Sequence, residues 1–399
     1  MTANLSVLDL LDLDSELSDA ERATRDRVRA LVDEHVRPHI AGWFADAVFP
    51  CDLVPVLAEA GLLGMHLQGY GCAGSTAVEY GLAMAEVEAA DSGIRTFVSV
   101  QGSLAMSAIA KHGSEDQKQQ WLPRMAAGEA IGCFALTEPE AGSDPGGMRT
   151  TAVRDGDEWV IDGEKRWIGL ASIADVAVVW AKVRDDDHDG DGGRERVRGF
   201  LVPTSTPGFD TTLIEPKLAM RASVQCDIAL RGVRVPADAI LPHNPGLRGP
   251  FACLDEARYG IVWGAYGAAR DSLEQALQYS TTRSQFGRPL AGFQLTQAKL
   301  VEMALDVSKA HLLALRLGRL KDAGRLEPHM VSVGKLNNAR TAIEVARTAR
   351  TVLGGNGITL DYSPMRHAAN LEAVRTYEGT DEVHTLVLGR HLTGLAAFR

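Results

Sequence analysis

Glu378 is the residue best placed in this chain to move a proton. It stands in Thr376-Tyr377-Glu378-Gly379-Thr380, between two helical runs. Leu371, Val374 and Tyr377 recur at helical spacing before it, and Val383, Leu386 and Val387 open a new apolar stripe after it. Thr380 suits an N-cap, and Asp381 and Glu382 fall where a first helical turn favours negative charge. Gly379 lets the chain turn where a side chain would obstruct it. The pattern predicts a short elbow held by two helices, from which a carboxylate can enter a cleft and work as a general base. A solvated loop glutamate would have the same local sequence.

Three other stretches suit the binding of a large polar ligand. Cys133 to Asp144 mixes apolar residues, hydroxyls and glycine, and such a run offers N–H groups and hydroxyls to a flat polar ring and to phosphate oxygens. Arg283-Ser284-Gln285-Phe286-Gly287 ends one long helical run and Phe293-Gln294 opens the next. An arginine fork beside glutamine and phenylalanine can hold a pyrophosphate or an adenine. Val352 to Gly357 is a helix stop with open backbone. Two motifs fail. Gly69 to Gly74 spells GxGxxG but lacks the preceding strand of a dinucleotide site, so a loop is expected. Asp185 to Gly190 resembles the start of a calcium loop, but Arg196 stands where the twelfth-position glutamate belongs, so a hairpin tip is expected.

These residues need a scaffold, and 399 residues with 45% hydrophobic content suffice for a large core in two or three domains. A net charge of -11 argues against a nucleic-acid surface. The five cysteines are scattered, never in CxxC spacing, and fit reduced thiols rather than a disulfide frame or a zinc site. No apolar run has the length of a membrane span, and the acidic N-terminus lacks the pattern of a signal or transit peptide. A soluble cytoplasmic protein is expected.

Up to about residue 130 the spacing predicts helices, over 22–35, 54–63, 76–90, 94–110 and 115–125. From Gly132 to about Pro236 the period drops to two, with strands expected at 150–153, 159–161, 176–183, 197–203 and 226–235. Asp155-Gly156 suits a hairpin turn. Long amphipathic helices return at 259–282, 294–323 and 329–353. The fold class is therefore α+β. An N-terminal helical domain (1–131), a middle antiparallel β-domain (132–243) and a C-terminal four-helix bundle (244–399) are expected.

Taken together, the chain resembles the acyl-CoA dehydrogenase family over nearly its whole length. The resemblance rests on ALTEPEAGSD (135–144), KLAMRAS (217–223), RSQFG (283–287), VLGGNG (352–357) and YEGT (377–380), in the family's order. It implies the same three-domain fold, FAD as cofactor and a homotetramer. DSGIRTFVSVQGSL (91–104), ARYGIVWG (257–264) and NLEAVRTYEGT (370–380) are similar to the family's glutaryl-CoA branch. That branch implies Glu378 as the base taking the α-proton, decarboxylation to crotonyl-CoA, and electron-transfer flavoprotein as acceptor.

By the same resemblance Arg95 holds the substrate's far carboxylate, with Thr96, Glu88 and Tyr377 lining the pocket. If one helix carries Glu88 and Arg95, seven residues set them about 10 Å apart, too far to pair directly. The implied FAD contacts are Phe134, Leu136, Thr137, Gly142, Ser143, Trp167, Ile168, Gly169, Thr351, Val352, Leu353, Gly354, Gly355 and Thr380. Arg283, Phe286 and Gln294 are expected at a neighbouring subunit's cofactor. Ser143, Arg258, Gly379 and Phe398 are the implied CoA-ester contacts. Gly169 departs from the family, which commonly has threonine there, and Ala219 replaces a usual glycine. Four alternatives stay open: another short-chain acyl-CoA, a glutaryl-CoA enzyme that stops before CO2 loss, an acyl-CoA oxidase, and a flavin-free acyl-CoA-binding scaffold.

Overall fold

The computed structural model describes residues 8–184 and 195–397. The expected hairpin tip at Asp185–Gly190 and the side chain of Phe398 lie outside the described residues.

The N-terminal part is helical: α1 (Asp19–His35), α2 (Ile40–Asp46), α3 (Leu53–Glu59) and α4 (Ala77–Ala90). Capping boxes start α1, at Ser18 with Glu21, and α4, at Thr76 with Glu79. All of α4 except Glu79 is buried, so it is the core helix and not an amphipathic surface one. The 69–74 stretch is irregular, as the missing strand implies.

The single helix expected over 94–110 is three pieces: α5 (Ser92–Ser99), a π-helical segment (Val100–Met106) and α6 (Ser107–His112). Asp91 is extended at φ -164 and ψ 139, which ends α4, and its carboxylate accepts the Gly93 N–H at 2.7 Å to cap α5. Within the π-helical segment the Gln101 side chain accepts the Gly132 N–H at 2.8 Å and donates to the carbonyls of Met125 and Ala130. It therefore ties the end of α7 (Glu115–Ala126) to β1 (Gly132–Ala135).

Seven strands form the middle sheet among the described residues: β1, β2 (Thr151–Asp155), β3 (Glu158–Gly169), β4 (Val176–Arg184), β5 (Glu195–Pro203), β6 (Phe209–Leu213) and β7 (Gln225–Pro236). The order is β1-β4-β2-β3-β7-β6, with β5 also on β4. The hairpin at Gly156 forms as expected, with Asp155 opposite Glu158 and Gly156 at φ 60. The purely antiparallel reading needs correction, because β1 and β2 each pair parallel to β4. Period-two alternation marks a strand but not its direction, and β1 enters the sheet from the helical domain rather than through a hairpin.

The C-terminal bundle comprises α8 (Arg248–Thr282), α9 (Gln294–Asp322), α10 (Pro328–Val352), α11 (Pro364–Val374) and α12 (Asp381–Thr393). A two-stranded turn, β8 (Ser284–Gln285) with β9 (Arg288–Pro289), joins α8 to α9. Helix α8 lies against α4 at close range. A Cβ on Gly267 would fall 2.0 Å from the Ala85 carbonyl oxygen, and one on Gly264 would fall 1.9 Å from the Glu88 carboxylate. Only glycine admits that approach, which seals Glu88 between the two helices.

Candidate active site

The elbow predicted around Glu378 is present between α11 and α12. Thr380 caps α12 by accepting the Val383 N–H at 3.3 Å. Glu378 and Gly379 both have left-handed backbone, at φ 55 and 101. A Cβ on Gly379 would come within 2.9 Å of the His384 ring, so sterics and φ both require glycine there. Each carbonyl of the elbow meets a cation. The Lys335 ammonium on α10 donates to the carbonyls of Tyr377 and Gly379, and Arg258 Nε on α8 donates to that of Glu378 at 2.7 Å.

Glu378 is partly buried as a residue, but its Oε2 is shut off from solvent and has no hydrogen-bond partner. Burial raises its pKa, and the charges of Arg95, Lys335 and Arg258 offset only part of that rise. A carboxyl group aimed inward and made more basic is suited to taking a proton from carbon.

Arg95 and Glu88 are both fully buried and form a direct pair, Nε to Oε2 at 2.5 Å. This corrects the 10 Å separation. The break at Asp91 puts the two residues on different helices, so the one-helix spacing does not apply. Arg95 also donates to the Tyr377 hydroxyl, which Thr96 Oγ1 approaches at 3.3 Å. Burial would lower the arginine's pKa, but Glu88, Tyr377 and Glu378 together more than reverse this and the guanidinium stays charged. Burial pushes Tyr377 up to about 12, so it remains a phenol. One guanidinium nitrogen, Nη1, is left buried without a partner, as is Ser99 Oγ one turn further along α5. Buried donors of this kind without a partner mark a place for an acceptor.

Thr137 and the end of β3 meet beside this pocket. The Arg166 N–H donates to the Thr137 carbonyl at 2.9 Å, and a Cβ on Gly169 would meet Val100 at 3.5 Å. That is an ordinary contact, so packing does not explain the glycine. A bulge between Lys165 and Ile168 gives Trp167 a φ of 62 and leaves its indole half exposed, while Ile168 stays buried. Phe134 and Leu136 are buried in and just after β1, and Gly142 and Ser143 are exposed in the following loop.

The remaining implied cofactor contacts lie far away. Arg283 is 25 residues beyond Arg258 on the line of α8, roughly 37 Å at the α-helical rise. Arg283, Phe286, Gln294, Thr351, Gly354 and Gly355 are exposed, Val352 is partly buried and Leu353 is buried. Asn356 donates to the Tyr279 hydroxyl at 3.1 Å, which gathers this second group at the distal end of the bundle.

Sequence reasoning passed over Lys335, Lys165, Ser99 and Asp91. Lys165 is buried against Glu138 at 2.8 Å, and Glu138 also accepts the N–H groups of Arg149 and Thr150, so the pair anchors the 135–144 loop. For Lys335 the signal was available, because it lies within the apolar stripe Val331, Ala339, Ala342 and Ile343 where a solvated lysine does not belong.

A helical domain, a β-domain and a helical bundle that converge on a buried carboxyl group define a flavin-dependent acyl-CoA dehydrogenase. The chain belongs to that family. Three family models match in order: Acyl-CoA dehydrogenase, N-terminal domain, over residues 18–129, the middle domain over 133–233, and the C-terminal domain over 244–393. The glutaryl-CoA dehydrogenase of Mycobacterium smegmatis superposes at a TM-score of 0.94, with 58% identity over 98% of this chain and 99% of that one. A second structure, of a glutaryl-CoA dehydrogenase from the same organism in complex with FADH2, gives 0.95 and 55% over the same shares. The mitochondrial short-chain specific acyl-CoA dehydrogenase of Bos taurus is 35% identical over 94% of this chain and 91% of its own.

FAD is the cofactor. The residues present fit it: an exposed indole set by a bulge, a glycine at 142 with open space where a side chain would be, and the orphaned oxygen of Glu378. The match sets aside a flavin-free scaffold.

Proposed function

We propose that the chain oxidises glutaryl-CoA between Cα and Cβ and then releases CO2 to give crotonyl-CoA. The observation that carries the reading is the unpaired Nη1 of Arg95, buried beside Tyr377 and one residue from the base. A fatty acyl tail would leave that donor unsatisfied, whereas a terminal carboxylate would accept from it. Likeness at 55–58% identity to structures of glutaryl-CoA dehydrogenase supports the same substrate.

In this reading Glu378 removes the α-proton. Phe134, Leu136, Thr137, Gly142, Ser143, Trp167, Ile168, Gly169 and Thr380 hold FAD, which supplies the acceptor for the β-hydride. Ser143, Arg258 and Gly379 border the CoA ester. Arg95, with Thr96, Glu88 and Tyr377 around it, orients the far carboxylate. After CO2 leaves, the protonated Glu378 returns its proton to the γ-carbon. The placement of Arg283, Phe286, Gln294 and Thr351–Gly355 at the distal end supports a second subunit's FAD as their partner, and hence a homotetramer. Electron-transfer flavoprotein as acceptor and a cytoplasmic location complete the proposal. No helix among the described residues is long and apolar enough to cross a membrane.

The test is to bleach the FAD-loaded protein anaerobically with glutaryl-CoA and identify the acyl product by mass. Crotonyl-CoA is the expected product. Glutaconyl-CoA would remove the decarboxylation step, and bleaching by butyryl-CoA alone would remove the substrate assignment.

A further inference from the structure

We propose that Lys335 is a positioning residue for the base: its ammonium ties the two carbonyls flanking Glu378 and so holds the left-handed turn that aims the carboxyl group inward. The inference rests on the reading of Glu378 as that base.

The geometry is specific. Lys335 is 1% exposed and comes from α10, which supplies no other residue to the elbow's carbonyls. Left-handed backbone at a glutamate is strained, and it persists only where the surroundings over-determine it. Arg258 fixes the middle carbonyl from α8, but a single tie leaves the peptide planes on either side free to rotate. The two bonds from Lys335 close both. Ser332, one turn before Lys335 on α10, contacts the His384 ring at 3.0 Å, and that ring walls off Gly379. One face of α10 thus braces the elbow from below and from behind.

The same ammonium sets the electrical environment of the carboxylate. The groups around it are Tyr377 and Glu378 on the elbow, Arg95 on α5 with Glu88 behind it on α4, Arg258 on α8 with Asp255, and Asp381 and His384 on α12. Burial lowers the lysine's pKa and raises the glutamate's, while each one's charge opposes the other's shift. Arg95 and Arg258, each also paired with a carboxylate of its own, share with Lys335 the balancing of an ionised Glu378.

Two variants test this. Lys335→Met keeps the length and removes both donors and charge; Lys335→Arg keeps donors and charge. Anaerobic stopped-flow bleaching by acyl-CoA is followed across pH, with product affinity measured separately. For Lys335→Met the expected result is flavin reduction slower by about 100-fold or more. Its acid limb should move up by about one pH unit. Product affinity should stay within about 3-fold, and Lys335→Arg should fall between wild type and Lys335→Met.

Hydrogen exchange of a peptide spanning 376–384 gives a readout independent of turnover. Protection there should drop in Lys335→Met while α8 keeps its own. Should Lys335→Met fail to fold, Lys335→Gln serves in its place. Wild-type rate with an unmoved acid limb overturns the proposal. So does a slow variant whose acid limb is unmoved and whose protection falls everywhere, which marks a merely structural lysine. If no acyl-CoA bleaches the wild type, the functional reading fails instead, and the exchange comparison still decides whether Lys335 holds the elbow.

Discussion

At the scale of single residues the proposed function makes two separable demands on the site, a base and a carboxylate clamp. Glu378→Gln keeps shape and removes basicity, so flavin reduction should fall by about 10²–10⁴-fold with FAD retained. Stopped-flow bleaching reads this directly. The wild-type rate needs the ionised form, and burial raises the group's pKa above its ordinary 4.5. The rate should therefore decline as pH drops through a value above that figure, and a limb at or below it would contradict the burial of Oε2. For the clamp, Arg95→Leu should abolish glutaryl-CoA turnover while butyryl-CoA turnover persists; equal losses would refute it. The variant also strands the Glu88 carboxylate in the core, at a cost of about 3–5 kcal/mol. Arg95→Leu with Glu88→Leu should recover most of that stability in urea unfolding but none of the glutaryl-CoA preference. That contrast separates recognition from folding.

Among the elements, the break between α4 and α5 decides where Arg95 goes. Asp91 Oδ1 caps α5, and Oδ2 accepts from Arg366 at 3.0 Å and Asn370 at 2.9 Å on α11. Asp91→Ala should cost about 1 kcal/mol for the lost cap, with a further penalty for an unpaired buried Arg366. Asp91→Asn should be intermediate, because an amide caps but carries no charge. Denaturant midpoints at constant slope would show the ranking, and equal loss for both variants would deny the cap a share. This junction also shows what was legible beforehand. Thr380 announced its helix because a cap is a local signal, and the elbow at Glu378 was readable for the same reason. The helix bounds 76–90 and 94–110 already left a gap around Asp91 and Gly93, but the role of the Asp91 carboxylate was not legible, because its partners Arg366 and Asn370 lie some 275 residues away in the chain. The parallel joins of β1 and β2 to β4 were hidden for a related reason, as strand direction is fixed by the connection and not by the strand. Lys165 gave no local sign of its burial, because Glu138, which pairs with it, is 27 residues away in the chain, whereas Lys335 stood in a visibly apolar stripe.

Across the whole molecule, stability should weaken on mild acidification through buried neutral imidazoles. Burial lowers His66 and His311 from 6.5 to about 4, and His384 to about 3. The unfolded chain takes these protons near pH 6.5 and the folded one only near 4 or below. Between those values the unfolded state binds more protons, so folding stability falls as pH falls and is fully present only above about 6.5. Glu274 and Glu378, whose pKa values burial raises, act in the opposite direction, since they protonate first in the folded state. The net slope therefore mixes signs, and a single substitution isolates one contribution. His311 stacks on Tyr266 at 4.4 Å between centroids, and its Nε2 is buried without a partner. His311→Phe keeps the stack and removes the titration. Melting temperatures of the FAD-loaded protein should drop less between pH 6.5 and 4.5 in His311→Phe than in wild type. Parallel drops would mean that the ring is already protonated in the fold, and the neutral imidazole beside Tyr266 would have to be abandoned.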